Sequence, residues 1–265
     1  MKGIVENKVA LVTGGSSGIG RAASLIFARE GAKVVVIADI AVQGGHETIR
    51  MIKDSGGEAT FIKTDVRISA DVESTVSETV KIYGSLDCAF NNAGIAGWLD
   101  RKPVNITEEI DEWDDVVNTN MKGVWLCMKY EIPQMLKQGK GAIVNTASAM
   151  AFMGDTVGDI HYTAAKHGVV PLTRIAALKY INSDIRVNGI CPGPTASPLG
   201  LACSKIVLQK MEELKKNKIQ LGPSNPIGRS ARCEEIAEAA VWLCSDAASY
   251  VTGHMMAVDG GMLAQ

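Results

Sequence analysis

Val9-Ala10-Leu11-Val12-Thr13-Gly14-Gly15-Ser16-Ser17-Gly18-Ile19-Gly20 runs from an apolar stretch straight into four glycines. Glycine loses more backbone entropy on ordering than any other residue, so this clustering needs a physical reason. Either the chain turns sharply there, or something approaches the backbone closely. A strand, a glycine turn and a helix in that order would satisfy both. A helix N-terminus presents unpaired N–H groups and a partial positive charge, which makes an anion site suited to a pyrophosphate. In the spacing G-x-x-x-G-x-G, Gly14 allows the tight turn, Gly18 the close approach of a cofactor, and Gly20 the packing of helix on strand. Ser16, Ser17 and Ile19 fall on the same loop. A second register, G-x-G-x-x-A over Gly18, Gly20 and Ala23, is open. The first is preferred because Gly14 directly follows the apolar run.

Asp39 lies 19 residues beyond Gly20 (39 − 20), at the end of the second apolar run and just before Ile40. A carboxylate about 20 residues after such a loop is placed to bind the adenosine ribose hydroxyls and to repel a 2′-phosphate. No Lys or Arg stands between Ala38 and Gly45, and Ser17 is neutral. The expected cofactor is therefore NAD rather than NADP. The competing reading makes Asp39 a cap for the next helix.

Strand-like runs recur along the whole chain: Lys8–Thr13, Lys33–Ala38, Ala59–Lys63, Leu86–Phe90, Ala142–Thr146, Ile185–Ile190 and Met255–Val258. They are nearly continuous in apolar residues, as in strands buried on both faces of a parallel sheet. Helical patterns lie between them at Gly18–Glu30, Val42–Ser55, Ala70–Tyr83, Thr107–Leu136, Ile160–Tyr180 and Glu234–Ser245, with Gly31 and Gly84 placed as stops. The alternation predicts an α/β fold, a doubly wound sheet with helices on both faces, built as one domain over residues 1–265. A proline-rich excursion at about 194–226, with a helical pattern at Ser204–Ile219, reads as a substrate loop.

Composition narrows the partners. There are 27 basic and 29 acidic side chains, giving a net charge of −2 and no electrostatic footprint for nucleic acid or anionic membrane. No apolar run approaches the roughly 20 residues of a membrane span, and Met1 to Asn7 carries no targeting pattern. Six cysteines occur without a C-x-x-C pair, and four histidines without i, i+4 pairing. The expected protein is cytoplasmic and holds no metal.

Asn91-Asn92-Ala93-Gly94 and Tyr162-Thr163-Ala164-Ala165-Lys166 add a specific pattern. Together with Thr13-Gly14, Gly18-Ile19-Gly20, Asn120, Ser148, Pro192-Gly193 and Val258-Asp259-Gly260-Gly261, the sequence strongly resembles the short-chain dehydrogenase/reductase family over essentially its whole length. The resemblance implies a single-domain Rossmann fold with a seven-stranded parallel sheet. It implies a catalytic set of Asn120, Ser148, Tyr162 and Lys166, with Asn120 holding a helix kink and a water that links Lys166 to solvent. It also implies that Asp65-Val66 contact adenine, that Asn92, Ala93 and Gly94 line the cofactor cleft, and that Pro192, Gly193, Thr195 and Ser197 reach the nicotinamide carboxamide. Tyr162 and Lys166 are expected to touch cofactor as well.

The chemistry of the pair is legible without the family. Tyr162 and Lys166 are i, i+4 and share a helix face. A tyrosine is almost fully protonated at pH 7, and lowering its pKa by roughly three units needs about 4 kcal/mol. An ammonium one turn away and a positively charged nicotinamide ring are natural sources. Ser148, at the end of a predicted strand, can hold a substrate oxygen beside Tyr162, with Thr146 as the fallback. The expected reaction is hydride transfer between a secondary alcohol and a ketone.

Trp98, Met150 and Leu199, with Ser148 and Tyr162, suggest a substrate site for a hydrophobic or cyclic molecule. Ala149–Met153, His161, Gly97–Leu99 and Thr195–Cys203 mark its wider lining. The alternatives are an NADPH-dependent 3-oxoacyl-(acyl-carrier-protein) reductase and a non-catalytic NAD-binding sensor. By resemblance the chain forms a homotetramer, or a homodimer, through Ala231–Gln265.

Two spacings depart from the family pattern. Gly31 to Asp39 is eight residues (39 − 31), one more than usual, which a bulge around Ile37 could absorb. Ser148 to Tyr162 is 14 residues (162 − 148), also one more, with the extra residue in Gly154–Ile160.

Overall fold

The computed structural model describes residues 3–97, 112–154, 160–203 and 225–265. Seven parallel strands form one sheet in the order β3-β2-β1-β4-β5-β6-β7. The strands are β1 (Val9–Thr13), β2 (Val34–Asp39), β3 (Ala59–Lys63), β4 (Cys88–Asn91), β5 (Gly141–Thr146), β6 (Ile185–Pro192) and β7 (Met255–Val258). The direction of winding reverses between β1 and β4, the position where open α/β sheets leave a crevice beyond their C-terminal strand edges.

The strands bury both faces because their alternate side chains feed two cores. Ala10, Val12, Val35, Ile37, Cys88 and Phe90 point to one face. That face is covered by α1 (Gly18–Arg29), α2 (Val42–Asp54) and the last long helix, α7 (Cys233–Cys244). Leu11, Val36, Ala38, Ala89, Ile143 and Val187 point to the other. Their cover is α3 (Ser69–Tyr83), α5 (Gly123–Gln138) and α6 (Ile160–Lys179). Phe27 and Phe90 are fully buried, and each such side chain contributes about 1.5–3 kcal/mol by leaving water.

The helical pattern at Thr107–Leu136 is not one regular helix. Of it, 107–111 lie outside the described residues. The rest divides into α4 (Trp113–Val117), a π-helical turn at Asn118–Lys122, and α5. The apolar periodicity runs through the turn, so the wider coil leaves no mark in the pattern. The Ser204–Ile219 helical pattern also lies outside the described residues; residues 198–203 before it are helical.

The ladder shows no bulge around Ile37. β2 pairs residue for residue with β1 from Val34 to Ala38 and with β3 from Val35 to Asp39. The longer Gly31–Asp39 spacing is taken up ahead of the strand, where Ala32 donates to Phe27 and Lys33 to Lys8. The apolar residues of the C-terminal segment pack inward. Leu243 and Met255 are core residues, and Trp242 and Val251 pack against the core rather than forming an open face.

Candidate functional site

A cleft of about 960 Å³ opens beyond the strand ends, between the glycine loop and the segment after β6. Gly14 and Gly18 both adopt left-handed backbone, with φ of +68° and +52°. A Cβ at Gly14 would come within 2.9 Å of the Ala93 backbone, and one at Gly20 would fall onto the Gly14 carbonyl oxygen. These contacts favour the register that begins at Gly14. Ser17 precedes α1 without capping it by its side chain, so the first N–H groups of the helix stay open to an anion. The residues present fit a dinucleotide pyrophosphate.

Asp39 ends β2 and turns toward this loop. Its Oδ2 accepts from the Ser16 N–H at 3.0 Å and the Ser16 hydroxyl at 2.6 Å, while Oδ1 accepts from the Ala41 N–H at 2.9 Å. Its orientation thus owes nothing to a bulge. Thr13 Oγ1 accepts from the N–H groups of Asn92 and Ala93 at 3.0 and 3.1 Å, fixing the Asn92–Gly94 run to the end of β1. On the far side, a Cβ on Gly18 would stand 3.3 Å from Ser197 Cβ, so the segment after β6 closes against the loop.

Ser148, Tyr162 and Lys166 come together across the cleft. Ser148 hydrogen bonds to the Tyr162 hydroxyl and accepts from the Met150 N–H at 3.2 Å. The longer spacing between Ser148 and Tyr162 therefore does not separate them. Lys166 is buried; its Nζ donates to the Thr146 carbonyl at 2.8 Å and sits 5.7 Å from the Tyr162 ring centre. Thr146 thus serves through its backbone, and Ser148 holds the position facing the phenol.

Burial pushes the Tyr162 hydroxyl up to about 12, against the opposing Ser148 hydrogen bond, and pushes the Lys166 ammonium down to about 8. Burial thus works against the depressed tyrosine pKa expected from the pair. A positive charge brought next to the phenol would counter it.

Asn120 lies in the π turn, fully buried. Its Oδ1 accepts from the Ile95 N–H and its Nδ2 donates to the Ile95 carbonyl, both at 2.8 Å. The kink is where the resemblance places it, but the side chain is engaged by backbone. A Cβ at Gly94 would stand 3.0 Å from Asn120 Oδ1 and 3.6 Å from Lys166 Nζ, so Asn120, Gly94 and Lys166 are packed together.

A protein-family model described as enoyl-(acyl carrier protein) reductase matches residues 14–263. The chain is 40% identical to the cyclohexanol dehydrogenase of Acinetobacter sp., covering 96% of this chain and 94% of that one. It is 39% identical to a 2,5-dichloro-2,5-cyclohexadiene-1,4-diol dehydrogenase of Sphingobium indicum, covering 98% of both. Its fold matches the crystal structure of levodione reductase with a TM-score of 0.87 and 36% identity over 98% of each chain. The chain belongs to the short-chain dehydrogenase/reductase family. It is an oxidoreductase that interconverts a secondary alcohol and a ketone.

In this dehydrogenase/reductase the cleft is lined by every residue expected to touch cofactor: Gly14, Ser16, Ser17, Gly18, Ile19, Asp39, Ile40, Asp65, Val66, Asn92, Ala93, Gly94, Tyr162, Lys166, Pro192, Gly193, Thr195 and Ser197. Met150 and Leu199 line it as well, while Trp98 lies outside the described residues. The wider substrate lining is narrower than expected. His161 is buried against Trp113, with a Cβ at Gly97 meeting its ring, and Phe152 faces solvent.

Among the lining residues that escaped the sequence reading are Arg67 and Met262, while Cys203 falls where the Thr195–Cys203 lining was expected. Arg67 grips Asp65 through three contacts of 2.7–3.1 Å and reaches Asp115 at 2.9 Å, which draws the Asp65 carboxyl below its ordinary range. An Arg two residues after an Asp carried that signal locally; Met262 reaches the cleft only through tertiary folding. Among the described residues, no group of three or more His, Cys, Asp or Glu could hold a metal ion, and no helix is long and apolar enough to cross a membrane.

Proposed function

We propose that the enzyme oxidises secondary alcohols on hydrophobic rings to ketones, and runs the reverse reaction, with NAD as its cofactor. The observation that carries this reading is the joined set of Ser148, Tyr162 and Lys166 facing a cleft whose other end is edged by Asp39. The cyclic-alcohol and cyclic-ketone names of the relatives support the substrate class.

In the mechanism, the nicotinamide ring supplies the hydride acceptor or donor when the dinucleotide is bound. The rest is the work of the chain. Ser148 donates a hydrogen bond to the substrate oxygen and orients it. Tyr162 takes the hydroxyl proton in oxidation and returns it in reduction. Lys166 keeps one N–H on the Thr146 carbonyl and offers the others to ribose hydroxyls, while its charge supports the phenolate. Asn120 holds the Ile95 backbone, and through it the wall beside Lys166. Catalysis combines positioning with general acid–base chemistry. Asp65 and Val66 edge the adenine end, and Met150 and Leu199 give the substrate end its apolar character.

The carrier-protein reductase alternative calls for a basic residue open to a 2′-phosphate. Arg67, which lines the cleft, and Arg21, just after the glycine loop, are engaged by Asp65 with Asp115 and by Glu47. A sensor without catalysis would have no use for the assembled Ser148, Tyr162 and Lys166. Incubation with cyclohexanol and NAD⁺, read as absorbance of the reduced cofactor, should give turnover, with NADP⁺ at least about tenfold less effective, a 1.4 kcal/mol preference. Equal or better use of NADP⁺ would reverse the cofactor assignment. Failure with a panel of cyclic alcohols and ketones would remove the substrate class.

Association is also part of the proposal, and a surface outside Ala231–Gln265 offers itself for it as well. Trp125 on α5 and Ile175 and Leu178 on α6 are large, apolar and exposed, Leu178 by 72%. Large exposed apolar side chains of this kind favour a second copy. Light scattering should return a dimer or tetramer, and Leu178→Asp should shift it toward the monomer. A monomeric parent protein would remove this claim. Buried thiols at Cys88, Cys127, Cys191 and Cys244 support a reducing, cytoplasmic setting.

A further inference from the structure

Arg21 is the first basic residue after the glycine loop, and its guanidinium is committed beneath that loop. Its Nε and Nη2 donate to the Ser16 carbonyl at 3.1 and 2.6 Å. Nε also reaches Thr48 Oγ1 at 3.1 Å, and Nη2 pairs with Glu47 Oε2 at 2.7 Å. Thr48, fully buried, stands 3.0 Å from both the Gly15 and the Gly44 carbonyl oxygens. A Cβ on Gly44 would approach the Ser16 carbonyl oxygen to 2.9 Å, so the first turn of α2 is pressed against the loop.

Ser16 is thereby held from both sides. Its carbonyl is fixed by Arg21, and the preceding peptide by Thr48. Its own N–H and hydroxyl are the two donors that fix Asp39 Oδ2. A planar guanidinium making two bonds to one carbonyl sets direction as well as distance, which a flexible ammonium does not.

We infer that Arg21, braced by Glu47, is a positioning residue for nucleotide discrimination: it fixes Ser16 so that Ser16 aims the Asp39 carboxylate at the adenosine ribose. The inference rests on the reading of the cleft as an NAD site. Without Arg21, Ser16 is free to rotate and Asp39 loses two directed bonds. The carboxylate then binds ribose hydroxyls less well and swings clear of a 2′-phosphate more easily. NADH should suffer, and NADPH should be relieved of part of its repulsion.

The test is fluorescence titration of the full chain with NADH and with NADPH, for the parent protein, Arg21→Met, Arg21→Lys, Asp39→Asn and the Arg21→Met/Asp39→Asn pair. Arg21→Met should weaken NADH by about tenfold, the size of one lost charge-assisted anchor, while NADPH changes by less than about threefold. Arg21→Lys should fall between. In the Asp39→Asn background, Arg21→Met should leave the NADPH-to-NADH ratio unchanged, since the residue it acts through has been neutralised.

An unchanged ratio in Arg21→Met, whether both dinucleotides weaken in parallel or neither does, would overturn the inference. Should Arg21→Met fail to fold, Arg21→Lys is judged by the same ratio. If the parent protein itself prefers NADPH or binds neither dinucleotide, the failure lies with the cofactor reading instead.

Discussion

Tyr162→Phe is expected to lower turnover by about a thousandfold, within the range that a positioned general acid–base group contributes. The substitution removes one oxygen and keeps the ring that packs over Lys166. Ser148 retains its bond from the Met150 N–H, so the local fold has no reason to change. NADH affinity should move by less than about threefold, a change under 1 kcal/mol, because the glycine loop and Asp39 grip the other half of the dinucleotide.

The pH profile separates lost chemistry from lost structure. Burial holds the Tyr162 hydroxyl up at about 12, so the phenol is the resting form and suits ketone reduction. Alcohol oxidation needs the phenolate, so its rate in the parent protein should climb with pH until the Lys166 charge is lost. Lys166, brought down to about 8, keeps its supporting charge only below that pH. The Phe variant should retain a small, nearly flat residual rate. Turnover within tenfold of the parent, or an unchanged pH profile, would remove Tyr162 as the proton-transfer group.

The parts of this site that local chemistry dictates are legible in the sequence. Strands buried on both faces need nearly continuous apolar runs, such as Val9–Val12 within Lys8–Thr13 and Val34–Ala38 within Lys33–Ala38. Gly14, Gly18 and Gly20 are demanded by positive φ and by close contact. Tyr162 and Lys166 share a face because a helix repeats every 3.6 residues. What was not readable depends on tertiary neighbours. The π turn around Asn120 leaves hydrophobic periodicity intact, so the helix looked continuous. The route by which Asp39 reaches the loop runs through Ser16, which spacing does not reveal; the bulge inferred in its place is absent. Arg21 looks like any exposed helix cation until its partners on α2 are seen. Similarly, Leu243 and Met255 are apolar in either setting, and only packing decides that they face inward.

Glu131 carries the second large effect, on stability rather than rate. It lies on α5, fully buried beneath the strand that leads into Asn92–Gly94. Oε2 accepts from Asn91 Nδ2 at 3.0 Å, and the same amide donates to Asn145 Oδ1 at 3.0 Å. Asn145 Nδ2 passes the chain on to Thr173 Oγ1 at 3.0 Å. Glu131 Oε1 and Asn91 Oδ1 are both buried acceptors with no hydrogen-bond partner among the described residues, so a carboxyl that keeps its proton supplies a donor the pair lacks.

Burial raises the Glu131 carboxyl from 4.5 to about 7, against the opposing Asn91 bond. The folded value exceeds the unfolded one, so the proton is held more tightly in the native state. The stabilisation is complete below 4.5 and is lost as pH rises through about 7. The gap of about 2.5 units (about 7 − 4.5) corresponds to roughly 3 kcal/mol at 1.36 kcal/mol per unit. Glu131→Gln keeps the shape and a donor but has nothing to titrate. Urea unfolding should find the two proteins similar at about pH 5, and the Gln variant more stable by up to roughly 3 kcal/mol at about pH 9. Every other titrating group is common to both, so the difference isolates this carboxyl. Stability curves that stay parallel from acid to alkali would mean Glu131 is ionised in the fold, and that its charge is met by something other than Asn91.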